Sequence, residues 1–256
     1  MQKYLLVERP SQGICVLRIN RPDTHNALSR ALLEELSLAI EVAERQEAQV
    51  LVVASNGSSF CSGADLKERR SLNDAEKYAH NRQINAFAAA LAAAPMCTVA
   101  AIGGLALGGG LEIALACDLR FASTNAVLGL TESRLAAIPG AGGTQRLPRL
   151  IGTARALEMM YSGEPISAAK ALEWGLVNDV VSPDELSERV LAFGRIVASR
   201  SRHSSAVLKQ VVYQGLDSNL SDGLEIERLA IVDILKSSDY LEGITAFGEK
   251  RAPNFG

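Results

Sequence analysis

The sequence predicts an α/β chain with an all-helical C-terminal part. Two patterns carry this reading. Apolar runs of strand length alternate with apolar stripes at helical spacing from residue 1 to about residue 181, and from Glu185 onward only helical patterning remains. A third observation supplies a centre. Thr98 to Asp118, TVAAIGGLALGGGLEIALACD, reads as buried strand, glycine turn and buried helix. No strict internal repeat shows.

Taken in order, Tyr4–Val7 and Gly13–Asn20 read as two strands around a Pro-Ser-Gln-Gly turn. Arg21-Pro22 ends the second strand, and Asp23 to Leu28 form a loop leading to Ser29, a predicted helix N-cap. Leu32, Leu33, Leu36, Ile40 and Ala43 recur at helical spacing. Val50–Ala54 is continuously apolar, the pattern of a strand covered on both faces. Phe60 to Leu66, FCSGADL, is a second small-residue turn after a strand; Asp65 could cap a simple turn there. Asn73-Asp74-Ala75-Glu76 predicts a capping box, and Ile84, Phe87, Ala88 and Leu91 carry its helix as far as Pro95. Asp118 to Ser123 reads as a strand. Glu132 stands between an apolar strand and a second glycine-rich turn, Ile138 to Arg146. Helices follow over Thr153–Tyr161, closing at Gly163, and over Ser167–Trp174, closing at Gly175; Val177 to Val181 is extended. Val207, Leu208, Val211 and Val212 then form one helical stripe. Asp239-x-x-Glu242 is expected to cap a last helix bearing Tyr240, Leu241, Ile244 and Phe247. Lys250-Arg251 is either a solvated helix terminus or an anion contact.

The central stretch admits two readings. Three consecutive glycines, Gly108 to Gly110, let the backbone take unusual conformations and let a ligand approach peptide groups closely. A helix opening near Gly109 leaves its first N–H groups without internal partners at the positive end of its dipole, where an oxyanion can be held. Glu112 would lie within one turn of those donors. The second reading is packing, with glycines for close helix–strand contact and Glu112 a satisfied buried acid. Glu112 and the glycines interrupt any membrane span. The spacing matches neither a P-loop nor a dinucleotide fingerprint.

Composition narrows the classes further. There are 256 residues with 48% hydrophobic content, enough for one large core. Lys and Arg total 26 against 29 Asp and Glu, for a net charge of −3, so there is no bias toward nucleic acid or membrane surfaces. Cys15, Cys61, Cys97 and Cys117 lie in or beside apolar runs and form no CxxC motif, as expected for reduced thiols. His25, His80 and His203 are far apart, which argues against a histidine metal site or a Ser-His-Asp triad. MQKYLLVERP carries no signal or transit pattern, so a cytoplasmic location is expected.

Six motifs in order make the chain recognisable. They are Asn20-Arg21-Pro22 with Asn26-Ala27-Leu28, FCSGADL (60–66), GLALGGGLEIALACDLR (104–120), IPGAGGTQRLPR (138–149), AxxxGLV (171–177) and AFGEKR (246–251). The sequence resembles the enoyl-CoA hydratase (crotonase) family over essentially its whole length, and looks closest to the 3-methylglutaconyl-CoA hydratase-like branch. The resemblance implies a spiral of ββα repeats over residues 1–195 and a C-terminal helical trimerisation subdomain over 196–256. It implies a homotrimer, or a hexamer made of two trimers.

By the same resemblance, the oxyanion hole is formed by the backbone N–H groups of Ala64 and Gly109. The catalytic acids are Glu112 and Glu132, and Gly140 positions the reacting water. The CoA contacts match His25, Ala27, Ala64, Asp65 and Leu66, with Phe247 and Lys250 reaching a neighbouring subunit's CoA. The basic residue often found before Asn-Ala-Leu is here His25, which leaves the local phosphate contact open.

The implied reaction is hydration of a 2-enoyl-CoA. Glu112 activates water for attack at C3 and Glu132 delivers the proton to C2. Having both acids favours a hydratase over an isomerase, hydrolase or decarboxylase. CoA is a substrate handle, so no cofactor and no metal are expected. One relative in that branch binds RNA through a lysine-rich helix. Here the comparable segment, Leu32 to Ala48, carries Arg45 among Glu34, Glu35, Glu41, Glu44 and Glu47, so no nucleic-acid or membrane partner is expected. Arg69 and Arg70 are either solvated helix charges or partners for a carboxylate at the far end of the acyl group.

Overall fold

A computed structural model describes residues 4–255. The chain opens with a hairpin, β1 (Leu5–Ser11) and β2 (Ile14–Ile19), followed by α1 (Arg30–Arg45). It then lays down three strand pairs. These are β3 (Val50–Ser55) with β4 (Ser59–Cys61), β5 (Cys97–Ile102) with β6 (Leu105–Leu107), and β7 (Leu119–Ser123) with β8 (Val127–Gly129). Helices α2 (Leu66–Arg69) and α3 (Asp74–Ala93) follow the first pair. Helix α4 (Gly109–Ala116) follows the second, and α5 (Gly143–Ile151) and α6 (Thr153–Ser162) follow the third. After β9 (Ile166–Ser167), α7 (Ala168–Glu173) and β10 (Asp179–Val181) come α8 (Leu186–Ala198), α9 (Arg202–Leu216), α10 (Leu220–Ile234) and α11 (Ser238–Glu249).

The strand pairs do not form hairpins. The first member of each joins a six-stranded sheet in the order β1-β2-β3-β5-β7-β10, and the second joins a four-stranded sheet in the order β4-β6-β8-β9. Successive β3, β5 and β7 pair in parallel, as do β4, β6 and β8. Each ββα turn therefore advances one step in both sheets, which is the expected spiral.

The inner strands are buried on both faces, so β3 is apolar throughout rather than alternating. One face of the large sheet meets the main core, with Leu17, Leu51, Phe60, Phe87 and Leu115. The other face packs Ile14, Val16, Val52, Val99 and Phe121 against Leu186 and Val190 of α8. Because α8 covers this sheet, the expected division after residue 195 falls inside a helix that ends at Ala198.

Local signals place the helix starts. Ser29 accepts the Leu32 N–H at the head of α1, and Asn73 and Glu76 form a reciprocal capping box at the head of α3. The last helix, α11, is capped by Ser237 rather than at Asp239, because the Ser237 hydroxyl accepts the Tyr240 N–H, and the end of β1 also differs from expectation. β1 continues through Pro10 to Ser11, with a register irregularity between Glu8 and Ser11. Proline is tolerated there because β1 lies at the sheet edge, where a missing N–H breaks no inner ladder.

Helix α4 is the centre of the spiral, and all eight of its residues are buried. Gly110 makes this possible, since a Cβ there would lie 2.0 Å from the Cys61 carbonyl oxygen. Its end is tied down through Asp118, whose carboxylate accepts from the Thr98 N–H and hydroxyl and pairs with Lys209 of α9 at 2.9 Å. Among the described residues, no helix is long and apolar enough to cross a membrane.

Candidate active site

Two loops bring a pair of free backbone donors together. Leu28 bridges Ala64: the Leu28 N–H donates to Gly63 O at 2.8 Å and the Asp65 N–H donates to Leu28 O at 3.1 Å. Gly108, with φ of 51°, turns the chain from β6 into α4 and donates its N–H to Gly129 O at 2.8 Å. Gly109 is the first residue of α4, so its N–H has no intrahelical acceptor. A Cβ on Gly109 would lie 3.6 Å from the Ala64 nitrogen, so the two donors are neighbours. Among the described residues, neither N–H has a hydrogen-bond acceptor.

Glu112 lies one turn into α4, its N–H bonded to Gly108 O at 3.0 Å. It is 3% exposed. Its Oε1 accepts two backbone bonds from the glycine-rich turn, from Ala141 N–H at 2.6 Å and Gly143 N–H at 2.8 Å. Glu132 opens a short 3₁₀ turn, Glu132–Leu135, directly after β8. Its Oε2 is buried with no hydrogen-bond partner among the described residues. A Cβ on Gly108 would come within 3.0 Å of Glu132 Oε1, so the second acid abuts the glycine turn. Burial raises the Glu132 carboxyl to about 7, with the Glu112 charge adding to the rise against its own backbone N–H. The two acids thus differ: one is held by two backbone donors, and the other is a carboxyl poised to keep a proton near neutrality.

Residues 9–256 match the sequence profile described as Enoyl-CoA hydratase/isomerase. The chain belongs to this family. It is 40% identical over 252 residues to the mouse "Enoyl-CoA hydratase domain-containing protein 2, mitochondrial", covering 96% of this chain and 85% of that one. It is 38% identical over 255 residues to rat "Methylglutaconyl-CoA hydratase, mitochondrial", covering 97% and 81%. A crystal structure of enoyl-CoA hydratase from Bacillus anthracis superposes with a TM-score of 0.97 at 40% identity over 99% of both chains. The chain is an enzyme of hydratase type, and its similarity extends to the methylglutaconyl-CoA hydratase branch.

Within this family member, the structure gathers Ala64, Gly109, Glu112, Glu132 and Gly140 around the glycine turns. The Gly140 N–H has no acceptor among the described residues, and the residue sits at the mouth of the turn that holds Glu112. The residues expected to contact CoA near the first turn are also neighbours, and several are already engaged. His25 is exposed, with Nδ1 3.1 Å from the Ser59 hydroxyl. Ala27 is buried, and its carbonyl accepts from Arg21. Asp65 caps α2 by accepting the Glu68 N–H at 3.0 Å and pairs with Arg21 at 3.1 Å. Leu66 is half exposed beside them. Phe247 and Lys250 lie elsewhere, on and after α11. Phe247 is 87% exposed and lines a groove with Arg200, Tyr240, Ile244 and Phe255.

Sequence reasoning missed several supports. Arg21 sits in a quoted motif, but only the fold shows that it joins Ala27 to Asp65. Asn26 is fully buried at φ of 56°, with its amide donating to Asn56 O and Ser59 O and its Oδ1 accepting the Arg21 N–H. His80 is buried with Nε2 2.8 Å from Leu28 O, bracing the residue that bridges Ala64. Burial lowers its proton affinity, against the Leu28 carbonyl bond that raises it. Asn85 donates its amide to Gly140 O at 3.1 Å. Its only sequence signal was an asparagine four residues after Asn81 on an apolar-striped helix.

Proposed function

We propose that the chain is an enoyl-CoA hydratase, a lyase that adds water syn across the C2=C3 bond of a 2-enoyl-CoA to give a 3-hydroxyacyl-CoA. The observation that carries this is the asymmetry of the two acids beside two unpaired backbone donors. The thioester oxygen accepts from the Ala64 and Gly109 N–H groups, which strengthen their hold as enolate charge develops. Glu112, fixed through Oε1 by Ala141 and Gly143, keeps its other oxygen for the water that attacks C3. The free Gly140 N–H holds that water. Glu132, with its raised proton affinity, delivers the proton to C2. The step balances with water alone and requires no cofactor or metal. CoA is the substrate's handle, contacted along His25, Ala27, Asp65 and Leu66.

One observation favours a carboxylated acyl group, as in 3-methylglutaconyl-CoA of leucine degradation. Arg69 stands at the end of α2, one turn from Asp65, and its Nε is buried with no acceptor among the described residues. Burial without a counter-charge lowers its proton affinity, so an incoming carboxylate would relieve it. Arg70 is exposed and offers less. A linear acyl chain would place the enzyme in fatty acid β-oxidation instead. Side-by-side hydration of crotonyl-CoA and 3-methylglutaconyl-CoA by the wild type and Arg69→Met decides between them. Loss of the second activity alone in the variant supports the carboxylated substrate; equal rates in both proteins remove it.

The proposed assembly is a homotrimer or a pair of stacked trimers built by the C-terminal helices. α10 has no buried residue and exposes Leu220, Leu224, Leu229 and Ile231, and α9 exposes Leu208, Val212 and Leu216. Phe247 and Lys250 would then complete a neighbour's CoA site. Light scattering should give three or six times the chain mass. Four cysteines without disulfides fit a reducing compartment such as the cytoplasm.

A further inference from the structure

We infer that Asn85 is a positioning residue for hydration, acting on Glu112 through the single peptide between Gly140 and Ala141. The carbonyl of that peptide accepts from Asn85 Nδ2 at 3.1 Å, and its N–H donates to Glu112 Oε1 at 2.6 Å. A peptide is one rigid plane, so a hand on the oxygen sets the direction of the N–H. Only the Nδ2 end of the side chain can face a carbonyl oxygen without repulsion. A carbonyl that accepts a hydrogen bond also makes its own N–H a stronger donor. Asn85 therefore both aims and strengthens one of the two bonds that fix Glu112.

The surroundings fit that role. Asn81 and Asn85 are four apart on α3 and share a face. Asn81 lies against the Cα of Gly140, where a Cβ would come within 2.6 Å of its Nδ2. The next carbonyl, Ala141 O, accepts from Arg146 Nη1 at 2.9 Å. The turn is thus held from outside by Asn85 and Arg146 at successive carbonyls, and from inside by Glu112 at the Ala141 and Gly143 N–H groups. Asn85 is exposed and contributes little to the core, so its removal should leave the fold intact.

This inference rests on the hydratase reading, and the experiment separates the two. Steady-state hydration of crotonyl-CoA is measured for the wild type, Asn85→Ala, Asn85→Asp, Glu112→Gln and the Asn85→Ala/Glu112→Gln double variant, with thermal midpoints alongside. Loss of one hydrogen bond in the aligned state predicts a fall in kcat of about tenfold for Asn85→Ala, with KM within about twofold. In the Glu112→Gln background the same change should cost less than about twofold, because aiming a side chain that cannot take the water's proton gains nothing. Asn85→Asp cannot donate until its carboxyl is protonated, so its kcat relative to wild type should rise as pH falls from about 8 to about 5. A kcat for Asn85→Ala within about twofold of wild type overturns the inference while leaving the hydratase reading intact. So does an equal loss in both backgrounds with a lowered thermal midpoint, which marks a purely structural residue. An inactive wild type overturns the hydratase reading itself.

Discussion

Glu132 should make the folded protein less stable where the enzyme is most ionised. Its carboxyl is raised from the ordinary 4.5 to about 7, chiefly by burial. A group with a raised folded-state pKa contributes stability that is fully present below the unfolded value. That contribution is lost as pH rises through the folded value. At about 1.36 kcal/mol per pH unit, the displacement corresponds to about 3.4 kcal/mol. The side chain is only half-buried, so solvent screening reduces this to about 2 kcal/mol. Glutamine keeps the shape and does not titrate. Glu132→Gln should therefore gain about 2 kcal/mol on wild type between about pH 4.5 and about pH 8, or about 4–8 °C in melting midpoint for a chain of this size. The assay is paired thermal unfolding at both pH values and one fixed protein concentration, since assembly also shifts the midpoint. A midpoint difference that stays constant across this range would refute the idea that burial holds the proton.

Two further substitutions probe the glycine turn. Gly109→Pro removes one proposed oxyanion donor at a first-turn position that tolerates proline; kcat for crotonyl-CoA should fall by about 10²–10³-fold while circular dichroism stays native. Gly110→Ala would place a methyl 2.0 Å from the Cys61 carbonyl oxygen, so it should yield little soluble folded protein; a melting midpoint near wild type would contradict the close approach.

Much of this architecture is legible in the residues because several signals are local. Ser29, Asn73 and Glu76 announce helix starts through side chains that satisfy nearby N–H groups. Val50–Ala54 announces an inner strand by its lack of alternation. Gly108 to Gly110 followed by a lone acid points to a turn where backbone donors and a carboxylate meet.

What stayed hidden depends on tertiary placement. β4, β6 and β8 span three residues each, too short to show a period, so their gathering into a second sheet appears only in three dimensions. The run through Pro10 needed the knowledge that β1 is an edge. α8 patterns like the helices after it, yet it covers the sheet, because amphipathicity does not say which surface a helix meets. Arg21 and Asn85 act across 44 and 55 residues of sequence, a range at which spacing carries no signal.

The most direct test of the central claim is hydration of crotonyl-CoA, followed by loss of the conjugated thioester's ultraviolet absorbance, in wild type, Glu112→Gln and Glu132→Gln. The account predicts turnover by wild type and a fall of at least about 10²-fold in each variant, since each acid performs a different proton transfer. Turnover that survives either substitution nearly unchanged would contradict the division of labour between the two glutamates. No turnover by wild type on either crotonyl-CoA or 3-methylglutaconyl-CoA would mean that this family member directs the same site to different chemistry.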